Sequence, residues 1–94
     1  MMKLITSIFF SLVILNFSNA ADYYWVGGSG NWSDFANHWA TTSGGTSFHT
    51  QVPTLNDDVF FDANSFTALG QSVVNDQTII YCRSMDWSTC TNNP

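Results

Sequence analysis

The chain has 94 residues, 45% of them hydrophobic, and a formal net charge of −5. Of its hydrophobic residues, 13 fall within residues 1–20; beyond them seven aspartates face one basic side chain, Arg83, with neither lysine nor glutamate. That balance excludes nucleic-acid binding, which needs Lys and Arg against phosphate, and adhesion to anionic membrane surfaces. The scarcity of Glu, Lys, Arg, Gln and Leu excludes a long helical bundle as well.

Residues 1–20 read as a signal-peptide helix. Lys3 supplies a positive start, residues 4–15 an apolar stretch, and Ser18-Asn19-Ala20 the small residues a cleavage site requires. The apolar stretch is well short of the roughly 20 residues that span a bilayer. Cleavage is expected after Ala20, with Ala21 as the alternative. The chain then divides into a signal peptide, 1–20, and an exported segment, 21–94, with no stable membrane span left.

The exported segment opens with closely spaced aromatics, Tyr23, Tyr24, Trp25, Trp32, Phe35 and Trp39. Residues 23–26 form a strand-like run that stops at Gly27-Gly28-Ser29-Gly30, where positive φ is cheap and a tight reversal is expected. Ser33 and Asp34 are good helix N-cap types, and Phe35 and Trp39 sit four apart, which predicts a single helical turn. After a polar turn at 41–46, short strands are expected at 58–62, 72–75 and 78–87, each bounded by Asn, Asp, Gly or Pro. In the last and longest, alternation places Ile79, Tyr81, Met85 and Trp87 on one face; a bulge near Cys82 would instead turn Cys82 and Met85 inward. No stretch beyond residue 20 keeps helical periodicity, so the fold class is all-β.

Few groups suggest chemistry. Asn56, Asp57, Asp58, Asp62 and Asn64 form the densest oxygen cluster, and Asp57, Asp58, Asp62 and Asn64 are weak calcium candidates against the ordinary use of such residues in turns. No raised-pKa carboxyl pair or third metal ligand beside His38 or His49 is evident, so the segment reads as non-enzymatic and both histidines as packing or surface residues. Cys82 and Cys90 either pair as a disulfide in an oxidising exterior or remain free, one packed as a small hydrophobe. Trp25, Trp32 and Trp39 carry two readings. Their faces can stack on sugar rings, or they form the core of a segment poor in Leu, Ile, Val and Phe.

The motifs YYWVGGSGNWSDFANHWATTSGG, QVPTLNDDVFFDANSF and CRSMDW, in that order, resemble the N-terminal segment of large secreted surface proteins of Bacteroidetes-type bacteria. The resemblance spans residues 23–87. It implies the N-terminal cap and first coils of a right-handed parallel β-helix (a solenoid) on an adhesin-like protein, secreted or held at the cell surface, often through type IX secretion. Trp25, Trp32 and Trp39 would then plug the end of the solenoid, with Gly27, Gly28 and Gly30 letting the backbone cross it and Val59, Phe61, Val73, Ile79 and Tyr81 beginning the core. The expected partners are the later coils of a longer protein, of which this chain would be a fragment. The alternative is a small surface carbohydrate-binding module using exposed tryptophans on glycans.

Overall fold

The computed structural model describes residues 20–94; the signal peptide expected at 1–20 lies outside them but for Ala20. The described chain is built from short strands with one turn of helix: β1 Asp22–Trp25, β2 Gly30–Asn31, α1 Phe35–His38, β3 Trp39–Ala40, β4 Asp58–Phe60, β5 Val73–Val74 and β6 Ser84–Asp86. The all-β expectation holds at this level, and the sheets are open rather than closed into a barrel.

One sheet has the order β3-β1-β4-β6. Strands β1, β4 and β6 run parallel and in register, so that Asp22, Asp58 and Ser84 form one row and Tyr23, Val59 and Met85 the next. The second sheet is the parallel pair β2-β5, with Gly30 beside Val73 and Asn31 beside Val74. Parallel neighbours need a long return of chain. Here the returns are 36 residues from β1 to β4 and 26 from β4 to β6. Only β3 breaks the pattern: α1 reverses the chain, and β3 runs antiparallel on the outer side of β1, with Trp25 opposite Trp39. Ala40 in turn bridges antiparallel to Phe48.

Period-two alternation explains what each strand buries. Tyr23 and Trp25 point inward from β1, and Val59 and Phe61 from and just beyond β4; all four are buried. Tyr24 and Phe60 are partners on the outer face, where their rings stack at 4.9 Å. The core is completed by Trp32, Trp39 and Phe66, with Ala21, Phe35, Val52, Val73, Ile80, Cys82 and Cys90 packed at its margin.

The long strand expected at 78–87 is a correction. Only Ser84–Asp86 is strand, and the chain bends at Arg83. The backbone N–H of Arg83 donates to the Asp57 carbonyl at 2.6 Å, and its side chain is pulled to Asp58. Before the bend Ile80 and Cys82 face the core, so Ile79 and Tyr81 are exposed and do not begin it as expected. Beyond the bend Met85 shares the face of Val59. The second expected pattern is thus met at Cys82, which packs inward, but not fully at Met85, which stays 43% exposed. The other shifts are small: β4 ends at Phe60, and β5 is two residues long.

Candidate functional site

The two ends of the parallel sheet differ in how they are finished. At the β3 end the aromatics close over one another. Trp39 is fully buried and meets Trp25, Trp32, Tyr23 and Phe61 edge-on, at ring-centre distances of 4.9, 4.8, 5.9 and 5.8 Å. This is the arrangement that ring quadrupoles favour. Two of the indole N–H groups are satisfied by nearby backbone: Trp25 Nε1 donates to the Gly28 carbonyl at 2.7 Å, and Trp39 Nε1 to that of Trp32 at 3.0 Å. All three predicted plug tryptophans are thus brought together.

Two of the three glycines take the positive φ expected of the loop, and the loop packs on a partner that sequence reading missed. Gly27 and Gly28 adopt φ of 88° and 73°, the left-handed region open to glycine. Gly30 is instead required by contact. The His38 ring lies flat on Trp25, with centres 4.5 Å apart, and its Nδ1 is 2.6 Å from the Val26 carbonyl oxygen. A Cβ on Gly30 would come within 2.1 Å of His38 Nε2. The glycine loop therefore folds over an imidazole, and His38 is a packing residue, as its sequence context suggested. His49 behaves likewise, stacking on Tyr23 at 3.6 Å.

Two buried polar side chains hold the loops to the sheet. Ser65 Oγ donates to the Trp25 carbonyl at 2.7 Å and accepts from the Asp62 N–H at 2.9 Å. The Asp57 carboxylate accepts from Ala21 N, Thr54 N and Thr54 Oγ1 at 2.9, 2.7 and 2.8 Å. Neither Ser65 nor the buried Phe66 carries a signal in the sequence, since both sit in a stretch that reads as a turn.

At the β6 end the sheet has an open edge. No strand pairs with the outer side of β6 among the described residues, and every residue of β6 is exposed. Trp87 stacks on Phe61 at 3.9 Å but remains 37% exposed, and Met85 is 43% exposed. With Trp32, Phe61, Val73 and Ile80 they line an apolar recess of about 380 Å³. Trp32 Nε1–H is buried with no acceptor. Above the recess Arg83 makes a two-pronged bond to Asp58 at 2.9 and 2.6 Å, and Ser84 Oγ donates to the same carboxylate at 2.6 Å. These donors hold the Asp58 carboxyl down at about 2. Arg83 thereby relieves the like-charge pairing of Asp22 beside Asp58 in the ladder.

Several expected sites are not assembled. The calcium candidates are spread over separate protein donors: Asp57 on Ala21 and Thr54, Asp58 on Arg83 and Ser84, and Asp62 on Ser43 and the Asn64 N–H. Asn64 Nδ2 donates to Ser43. No three metal-ligating side chains converge among the described residues. The tryptophans expected as exposed glycan contacts, Trp25, Trp32 and Trp39, are instead buried, and only Trp32 reaches the wall of the recess. Cys82 and Cys90 are free thiols rather than a disulfide. Burial, aided by nearby Asp58 and Asp62 respectively, pushes both thiols up. Among the described residues no helix is long and apolar enough to cross a membrane.

No protein-family model, curated protein or solved structure matches the chain.

Proposed function

We propose that this chain is an exported, non-catalytic segment that caps the N-terminal end of an adhesin-like β-solenoid at a bacterial surface, as part of a longer protein. The observation that carries the proposal is the asymmetry of the β3-β1-β4-β6 sheet. Three in-register parallel strands, the second and third each reached after a long return, are how a solenoid stacks its coils. A second parallel pair, β2-β5, advances with them: Ser29 Oγ accepts from the Ser72 N–H, and the Ser33 N–H donates to Asp76. The first coil is covered on its outer side by antiparallel β3 and the tryptophan cluster, while β6 presents a free edge with an apolar recess beneath it. The edge suits a further parallel strand, and the recess suits the apolar side chains of that strand.

The buried tryptophans favour this reading over a glycan-binding module. Sedimentation velocity across a concentration series tests it. An open parallel edge is a template for pairing, so the isolated exported chain should self-associate through β6. Met85→Lys should return it to monomer with its unfolding midpoint unchanged. A chain that stays monomeric at every concentration, with β6 amides as protected from exchange as those of β4, refutes the proposal.

A further inference from the structure

The strongest unexplained feature outside the tryptophan cluster is Asp57. Its carboxylate is only 2% exposed, yet the structure gives it no positive partner among the described residues. A buried charge is costly unless paired. Arg83, the one basic side chain beyond Lys3, is already committed to Asp58 at 2.6 Å. Thr54 supplies both bonds to Asp57 Oδ2. The other oxygen, Oδ1, accepts from a single group, the backbone N–H of Ala21, at 2.9 Å. Ala21 is half-buried against the core, and its carbonyl accepts from the Asp58 N–H at 3.0 Å, whereas Ala20 is exposed. The residue that follows the expected cleavage point is therefore fixed on both sides, and the residue before it is accessible.

We propose that the Ala20–Ala21 bond is the processing site of this chain and that the α-ammonium released on Ala21 forms a buried ion pair with Asp57, fastening the start of β1 to β4. An export peptidase would hydrolyse the amide. The hydroxyl of water goes to the Ala20 carbonyl and a proton to the Ala21 nitrogen, which takes up a second proton at neutral pH to become the ammonium. The nitrogen already lies at hydrogen-bond distance from Oδ1, so the charge arrives where the carboxylate needs it without a change of register. Cleavage one residue later would remove the donor and start the chain at Asp22, about 3.3 Å further along the strand. The site thus distinguishes Ala20 from Ala21 as the cleavage position. This inference rests on the export reading of the proposed function.

Because no lysine follows Lys3, the processed chain carries one amine, its N-terminus. The test expresses the full chain in an exporting bacterial host, identifies the first residue of the exported product, and follows acylation of that amine by intact mass at neutral pH. Ala21 should be the first residue. Each unit by which the ion pair raises the amine pKa reduces the reactive free amine about tenfold, so acylation should be at least about tenfold slower in the folded chain than in denaturant. Asp57→Asn removes the charge and one acceptor oxygen while keeping the side-chain shape, and should restore most of the rate. If Asp57→Asn does not fold, an alanine inserted after Ala20 serves instead: it leaves the Ala21–Asp57 hydrogen bond in place, moves the amine one residue outward, and should acylate fast. Recovery of no cleaved product overturns the export reading itself. A first residue other than Ala21 overturns the site. An Ala21 amine that reacts equally fast folded and unfolded overturns the ion pair while leaving export and cleavage intact.

Discussion

Gly30→Ala isolates the contact that holds the closed end together. Gly30 does not occupy the left-handed region, so an alanine there meets no backbone penalty and acts through its Cβ alone. That carbon would lie 2.1 Å from His38 Nε2, 2.5 Å from Cδ2 and 2.7 Å from Cε1. A surface histidine would swing away, but this ring is pinned between Trp25, at 4.5 Å, and the Val26 carbonyl, at 2.6 Å. Overpacking a fixed core site costs about 1–3 kcal/mol, and displacing the ring forfeits a hydrogen bond of about 1 kcal/mol. The expected loss is about 2–4 kcal/mol, and the midpoint should fall by roughly 10 °C or more, since each kcal/mol is worth about 4–8 °C in a domain of this size. Thermal unfolding followed by tryptophan fluorescence reads it directly. A double-mutant cycle with His38→Ala identifies the cause, because removing the ring should recover at least about 1 kcal/mol of the Gly30→Ala loss. A midpoint within about 3 °C of the parent, or strict additivity in the cycle, would refute the packing of the loop on His38.

Two further outcomes follow from the same geometry. Trp32→Phe keeps an aromatic ring and deletes the indole N–H that has no acceptor, so the small cavity and the relieved orphan donor should offset to within about 1 kcal/mol. Trp32→Ala should cost about 3–5 kcal/mol, and urea unfolding in which both variants lose equally would show that the N–H is satisfied in solution. The Asp58 carboxyl is held at about 2, below its ordinary value of 3.8, first by its bonds from Arg83 and Ser84. Between those two values the unfolded chain binds more protons than the folded one, so this contribution is full above about pH 4 and disappears as pH falls through 2. Asp58→Asn should therefore flatten the stability–pH curve between pH 4 and 2, and an unchanged slope there would remove Arg83–Asp58 as its cause.

The sequence reveals local pattern well and long-range pairing poorly, and particular residues show why. Tyr23, Trp25, Val59 and Phe61 alternate over short spans, so their burial follows from the two-residue period of a strand. The glycine loop is legible because its conformation is a property of glycine itself. By contrast β2 lies inside that loop, and nothing in Gly30-Asn31 announces that Val73-Val74 will pair with it 43 residues later. The reversal of facing at Arg83 coincides with three bonds to residues 57 and 58, which no window around residue 83 contains. Ser65 and Asp57 are read as turn residues for the same reason. Their locations are at turns, but what they bond to is Trp25 and Ala21, in and just before a strand distant in sequence.

The closed and open ends are consequences of one difference in connection length. A reversal through a single helical turn leaves β3 antiparallel to β1, and a strand delivered that way cannot be the next rung of a parallel stack. It occupies the edge and ends the series. Strands β4 and β6 arrive after long returns and keep the direction of β1, so each reproduces the edge it covers. Side chains reinforce the distinction. Tryptophan indoles at the closed end find most of their acceptors within their own turns, which makes that end self-sufficient. At β6 the inner row reaches Met85 and Trp87 without a cover, and the neighbouring Trp32 N–H lacks an acceptor. The exposed apolar area at this edge is what a further coil could cover. In the proposed solenoid, the difference in backbone connection would set the direction of growth away from β3 and towards β6.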